Sequence, residues 1–339
     1  FYESGFNVLS LLMDEKTNIT DDPFEPALFL RNPHVQSIMA SSRLRLHYHW
    51  RNELARNTEE VILKTSTGSR LVSYLTRHPE PKGMFVFLHG WEGSSSSIYI
   101  LDSADYFYRR GYMIGRLNLR DHGDSHHLNE DLFHAARLKE TFDGVDYLAS
   151  FSRIKPVYLV GFSLGGNFAM RIALRHGMKP INHLEHVFAI SPPMNPYKAT
   201  MAIDNGRAFY RYYFLKKWKR SLMKKQKLFP DRYDFSDLMD VESCMELTKM
   251  LIPYFPEIQS YQHYFKMYTL KYNAFKYLSL PLTVLIAEDD PIVSYQDFLN
   301  MDANHNLKIL KQRYGGHCGF LDLFPASCWY QKAIAAIVS

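Results

Sequence analysis

The sequence predicts an α/β protein built on a mostly parallel, doubly wound sheet, with a helical lid inserted late in the chain. Three observations carry this expectation. Short runs that are apolar throughout, such as 83–90 and 282–287, alternate with segments of helical spacing, the order that makes parallel strands joined by helical crossovers. The runs lack the polar alternation of half-buried strands, so helices must cover both faces. Residues 195–280 lie between two such runs and are too long and too helical to be a connection.

Taken in order, 60–65 and 70–76 are rich in β-formers and separated by Thr67-Gly68, a hairpin signature. Strands are then expected at 83–90, 112–121, 157–163, 187–191, 282–287 and 308–313, with helices at 98–110, 134–152, 165–176 and 325–338. The first sixty residues contain Asp22-Pro23, Glu25-Pro26 and Asn32-Pro33. Such dipeptides punctuate rather than build elements, so this stretch is expected to wrap the core. Four segments result: a wrapping segment 1–58, the first part of the core 59–194, the lid 195–280 and the second part of the core 281–339.

Composition narrows the class. Hydrophobic residues make up 46% and charged residues 22%, a globular rather than a disordered or fibrous balance. No apolar run approaches the roughly eighteen residues that span a bilayer, so no transmembrane anchor is expected. Residues 1–13 carry Glu3 and no basic start, unlike a secretory signal. Cys244, Cys318 and Cys328 show no paired spacing, which argues against a disulfide framework or a zinc site and makes a reducing cytoplasm the expected setting. The net charge of +5 is unevenly placed: 207–232 holds ten Lys or Arg against Asp231 alone, and the rest of the chain has 30 basic and 34 acidic residues. A basic patch can attract nucleic acid, but no recognition module accompanies it.

The chemistry centres on Gly161-Phe162-Ser163-Leu164-Gly165, which follows an apolar strand and precedes a helix. That context resembles the nucleophile elbow of α/β-hydrolases, where a sharp turn exposes a serine Oγ above the sheet. Serine needs a base, and the base needs a partner that sets its tautomer. In this fold the acid follows a late strand and the histidine follows the last. The strand at 282–287 runs into Glu288-Asp289-Asp290-Pro291, and the next runs into Gly315-Gly316-His317-Cys318-Gly319. Asp290 is the chosen acid because Pro291 fixes a turn just after it, with Asp289 as runner-up, and His317 is the base. The oxyanion would take the backbone N–H groups of Leu164, after the nucleophile, and Trp91, after Phe87-Leu88-His89-Gly90. His89 is read as a support for that loop. Cys318, beside His317, is read as a buried filler.

Other features have plainer readings. His47 with His49, and the stretch Asp121-His122-Gly123-Asp124-Ser125-His126-His127, lack metal-ligand spacing and read as polar turns, so no metal is expected. The chemistry of an activated serine calls for no cofactor. Within the lid, Tyr210, Phe214, Trp218 and Leu222 form a stripe one helix face can bury. We read this as a helix covering the pocket with a solvated basic face; attraction of 207–232 to an anionic membrane or an acidic acyl carrier is the alternative. Tyr261, Tyr264, Phe265, Tyr268, Tyr272 and Phe275 form a second aromatic row, mostly core, with some rings available to an acyl pocket.

The stretch Pro26-Ala27-Leu28-Phe29-Leu30-Arg31-Asn32-Pro33-His34-Val35-Gln36-Ser37 resembles the N-terminal signature of one esterase branch of the α/β-hydrolases. That branch contains bacterial hydrolases of uncertain substrate, yeast medium-chain ethanol acyltransferases and mammalian membrane-associated phospholipid-acting members. Residues 161–167, Phe133-His134, Tyr264-Phe265 and 287–291 with His317 extend the match. One departure stands out: Asn118-Leu119-Arg120-Asp121-His122-Gly123 replaces the Asn-x-Arg-Gly-Cys common in the branch. The resemblance therefore implies the ester chemistry more firmly than the substrate. The expectation is a serine hydrolase of short to medium acyl esters; alternatives are acyl transfer to an alcohol and an inert binding module on the same fold.

Overall fold

A computed structural model describes residues 19–20, 24–42, 45, 53–153, 155–323 and 327–339. Strand β1 (Ile19–Thr20) precedes helix α1 (Pro33–Ala40) and the single turn α2 (Glu53–Arg56). The hairpin at Thr67-Gly68 forms from β2 (Thr58–Lys64) and β3 (Arg70–Thr76), with Lys64 opposite Arg70. Then β4 (Gly83–Leu88), α3 (Ile98–Tyr108), β5 (Tyr112–Leu117), α4 (Leu138–Ala149), β6 (Val157–Phe162), α5 (Leu164–His176) and β7 (Leu184–Ile190) alternate. Four helices interrupt the series: α6 (Pro196–Asn205), α7 (Ala208–Leu228), α8 (Cys244–Leu251) and α9 (Tyr261–Tyr268). The chain closes with β8 (Leu282–Ala287), β9 (Leu307–Gln312), a small hairpin of β10 (Leu321–Leu323) and β11 (Ser327–Cys328), and α10 (Trp329–Val338).

Among the described residues the main sheet has nine strands in the order β1-β9-β8-β7-β6-β4-β5-β3-β2. Only the β2–β3 and β3–β5 pairs are antiparallel. Alternate side chains of each central strand enter different cores. From β4, Met84, Val86 and Leu88 join Phe142 of α4 and Phe168 of α5 on one face, while Phe85 and Phe87 meet Phe107 of α3 and Ile334 of α10 on the other. Burying each such side chain contributes roughly 1.5–3 kcal/mol, which is why these strands carry no polar face.

The structure corrects several expected boundaries. Helix α1 begins at Asn32-Pro33, the dipeptide read as punctuation: the Asn32 side chain accepts from the N–H groups of His34 and Val35, and Pro33 occupies the first turn, where its missing donor costs nothing. Strand β5 stops at Leu117, and residues 118–125 form a polar loop in which Asp121 has φ +56°. Helix α4 starts at Leu138 rather than 134, and α10 at Trp329 rather than 325, because β10 and β11 take the preceding residues. Residues 1–13 and the pair His47 and His49 lie outside the described residues. No helix among the described residues is long and apolar enough to cross a membrane.

The basic segment departs most from expectation. Helix α7 does bury Tyr210 and Leu222, but much of its charge turns inward rather than to solvent. Lys217 Nζ donates to Glu92 O (3.0 Å), Lys219 Nζ to Met239 O (2.6 Å) and Lys224 Nζ to Asp124 Oδ1 (2.9 Å). Lys225 is 1% exposed and donates to Asp121 Oδ1 at 2.8 Å and Asn129 O at 2.6 Å. Carbonyls of Glu92 and Met239 and, through the buried Lys225, the 118–131 loop thus hold α7 against the core. Removing one partner of such a buried pair strands the other charge, a loss of about 3–5 kcal/mol. Lys225→Met should therefore lower the free energy of urea unfolding by about that amount, and Lys225→Met with Asp121→Asn should recover much of it; equal stability of wild type and the single variant would refute the tie.

Candidate active site

Ser163 lies between β6 and α5 with φ +50° and ψ −116°, a strained conformation that costs about 1–3 kcal/mol for a residue with a side chain. Its neighbours explain how the turn can form. A Cβ on Gly161 would sit 2.2 Å from Gly165 O, and one on Gly165 would sit 2.4 Å from Leu88 O. Only glycine permits backbone to pack on backbone here, and this contact lifts Ser163 out of the sheet.

The structure brings Ser163, His317 and Asp290 into one hydrogen-bonded row. Ser163 Oγ lies 2.8 Å from His317 Nε2, and His317 Nδ1 lies 2.9 Å from Asp290 Oδ2 and 3.2 Å from Oδ1. Asp290 Oδ1 also accepts from the N–H groups of Ile292 (2.8 Å) and Val293 (2.9 Å), in the turn Pro291 opens. An acceptor at Asp290 sets the imidazole proton on Nδ1 and leaves Nε2 to receive the serine proton. Burial works to lower the His317 pKa, but the Asp290 carboxylate overrides it and holds the imidazole well above its ordinary range. Asp289, the runner-up, points elsewhere: its Oδ1 accepts from Gly316 N at 2.8 Å and its Oδ2 is buried with no hydrogen-bond partner among the described residues. Burial, reinforced by the neighbouring Asp290, pushes its carboxyl up to about 6.

Leu164 N–H opens helix α5, and Trp91 N–H follows the end of β4; neither has a protein acceptor among the described residues. A free amide at a helix N-terminus suits a developing negative charge. The Trp91 loop is held by neutral histidines. His89 Nδ1 lies 2.8 Å from Gly90 O and its Nε2 accepts from Leu119 N (3.1 Å). His122 Nδ1 lies 2.7 Å from Arg120 O and its Nε2 accepts from Glu92 N (3.2 Å). Burial lowers both pKa values, that of His122 to about 4. His89 is therefore a support, as read, and the His-rich stretch is a scaffold for the loop. Cys318 is buried, and its N–H donates to Ser191 Oγ.

A pocket of about 850 Å³, open mouth included, leads from Ser163 and His317 under the helical insert. Its apolar lining includes Trp91, Ile203, Phe214, Trp218, Leu251 and Phe265, and none of its lining residues is an Asp, Glu, Lys or Arg. The stripe on α7 thus serves the pocket: Phe214 stacks on Trp91 with centroids 5.1 Å apart, and Trp218 meets it edge-on at 4.9 Å. Of the second aromatic row, Tyr264, Phe265 and Tyr268 line the pocket.

Several residues that the sequence offered only as part of a resemblance take a role at the site. Asn167, fully buried, donates from Nδ2 to Pro193 O and Tyr268 O, both 3.0 Å, tying helix α5 to α9. Gln36 and Ser37 of α1 hold the His317 loop: Gln36 Oε1 accepts from Leu321 N (2.7 Å) and Ser37 Oγ from His317 N (2.8 Å). The available signal was a polar pair at helical positions after a strong N-cap, which the wrapping role assigned to this stretch concealed.

Comparison with known proteins agrees with this geometry. Residues 85–326 match the alpha/beta hydrolase family Abhydrolase_6. An abhydrolase domain-containing protein of Dictyostelium discoideum is 24% identical over 93% of this chain and 80% of its own length. Phospholipase ABHD3 of Mus musculus is 21% identical over 84% of this chain and 70% of its own. The esterase Pf2001 of Pyrococcus furiosus superimposes with a TM-score of 0.52 at 16% identity, covering 83% of this chain and 91% of that one. With a sheet of this order, an elbow after β6 and a match across most of its length, the chain belongs to the α/β-hydrolase family.

Proposed function

We propose that the protein is a serine hydrolase of carboxylic esters that works through an acyl-enzyme. The observation that carries this reading is the continuous row from Ser163 Oγ through His317 to Asp290, at 2.8 and 2.9 Å. Ser163 Oγ attacks the ester carbonyl while His317 Nε2 takes its proton; Asp290 stabilises the imidazolium; Leu164 and Trp91 N–H groups receive the oxyanion. His317 then returns the proton to the leaving alkoxide. Water, activated by the same histidine, attacks the acyl carbonyl and releases the acid. An alcohol in place of water would give acyl transfer, and the ratio of new ester to acid at rising alcohol concentration separates the two.

An uncharged, apolar pocket suits the acyl chain of a lipid-like ester, and the phospholipase relative points the same way. The helices 196–268 act as a lid over that pocket. Its outer face supports contact with an anionic membrane: Phe209, Tyr212, Tyr213, Lys216, Arg220, Met223 and Lys227 form one exposed stripe of α7 without an acid. Aromatic and basic residues together are what an interfacial helix presents to lipid.

Three outcomes test these readings. A fluorophosphonate should label Ser163, and Ser163→Ala should abolish labelling and ester turnover; an unlabelled, folded wild type leaves only a binding module. Because the base must be neutral and Asp290 raises its pKa, kcat/KM should climb with pH on a limb above histidine's ordinary value of about 6.5. Asp290→Asn should move that limb down and cut kcat by about 10⁴; an unmoved limb assigns the acid to another residue. Finally, Lys216→Gln with Arg220→Gln should weaken sedimentation with phosphatidylserine vesicles by about 2 kcal/mol, roughly thirtyfold, while turnover of a water-soluble ester is kept. Vesicle binding unchanged by the pair removes the membrane from the reading.

A further inference from the structure

Helix α1 stands where the His317 loop meets α7, and the polar groups at that junction form a connected series. Ser37 Oγ accepts the backbone N–H of His317 at 2.8 Å and donates to Pro33 O at 2.7 Å. The contact is close: Gly316 has φ +53°, and a Cβ there would lie 2.3 Å from Pro33 O and 2.8 Å from Ser37 Oγ. The loop therefore cannot shift toward α1, and Ser37 sets how far it stands away.

From α7, the buried Tyr210 reaches His34, three residues before Ser37 on the same helix. Its hydroxyl lies 3.1 Å from His34 Nδ1, and Arg207 Nε donates to His34 Nε2 at 2.9 Å. The donors assign themselves. Arg207 makes Nε2 an acceptor, so the His34 proton sits on Nδ1 and is donated to the Tyr210 oxygen. Helix α1 thus holds the lid helix through His34 and, three residues on, the backbone of the histidine that faces Ser163 through Ser37.

We propose that Ser37 and Tyr210 are positioning residues that couple the seating of lid helix α7 to the alignment of His317 with Ser163 and Asp290. Neither lines the substrate pocket, so both act through the histidine rather than on the acyl chain. The inference rests on the reading of Ser163, His317 and Asp290 as a nucleophilic triad. A displaced general base loses rate steeply, with misplacement of about 1 Å costing about a hundredfold.

The test is the second-order rate of fluorophosphonate labelling at Ser163, with kcat and KM for a p-nitrophenyl ester, in wild type, Ser37→Ala, Tyr210→Phe and the double variant. Each single change should slow labelling and lower kcat about ten- to a hundredfold with KM kept. The double variant should be no slower than the worse single one, and Ser37→Thr, which restores the hydroxyl, should recover rate. Thermal unfolding confirms that each variant is folded, and Tyr210→Phe, which removes a single oxygen, serves if Ser37→Ala is not. Wild-type rates in folded single variants, or losses that multiply in the double variant, overturn the coupling. An unlabelled wild type overturns the triad reading instead, so the two failures are told apart.

Discussion

Ser163 occupies a backbone conformation that a residue with a Cβ adopts only under compulsion, and the compulsion is the contact among three backbone segments. The end of β4, the end of β6 and the first turn of α5 meet at Gly161 and Gly165 with no room for a side chain. The free energy that holds them there comes from the cores on both sides of the sheet, where β4 and β6 contribute fully buried residues at every position. Ser163 N–H donates to Ile190 O at 2.8 Å and Ser163 O accepts from Asn167 N at 3.0 Å. The strained residue is thus paired on both sides, and strain persists where the surroundings over-determine it.

Around that turn the polar groups are arranged to stay neutral or to be matched. His89 and His122 are sealed in, each with one ring nitrogen donating and the other accepting, so protonation would break a bond as well as bury a charge. Two pairs of buried charges are matched: Lys225 with Asp121, and Arg120 with Glu140 at 2.7 Å. Both pairs cluster beneath α7. The basic character of that helix is consequently a matter of attachment on its inner side, while its exposed stripe keeps a smaller set of cations.

The insert and the core also share the pocket. Phe214 and Trp218 come from α7, Tyr264 and Phe265 from α9, and Trp91 and Leu164 from the loop and helix that carry the free amides. Ser163 and His317 lie at one end of this lining, and among the described residues that form it none is an Asp, Glu, Lys or Arg; a charge buried there without a partner would be costly.

Sequence alone determined strands β2 to β9 and the helices between the core strands, because buried parallel strands must be apolar throughout and so announce themselves within a few residues of their true ends; β1, the β10–β11 hairpin and helices α1 and α2 gave no such signal. It also determined the candidate elbow, because only glycine at 161 and 165 allows that turn. Only the tertiary structure shows how the adjacent carboxylates Asp289 and Asp290 differ: Asp290 reaches the imidazole and Asp289 accepts Gly316 N–H. It likewise decided the direction of the lysines on α7 and the role of Gln36 and Ser37, whose partners lie some 280 residues away along the chain. Local pattern specifies which groups can be buried or hydrogen-bonded; only the packed chain specifies with whom.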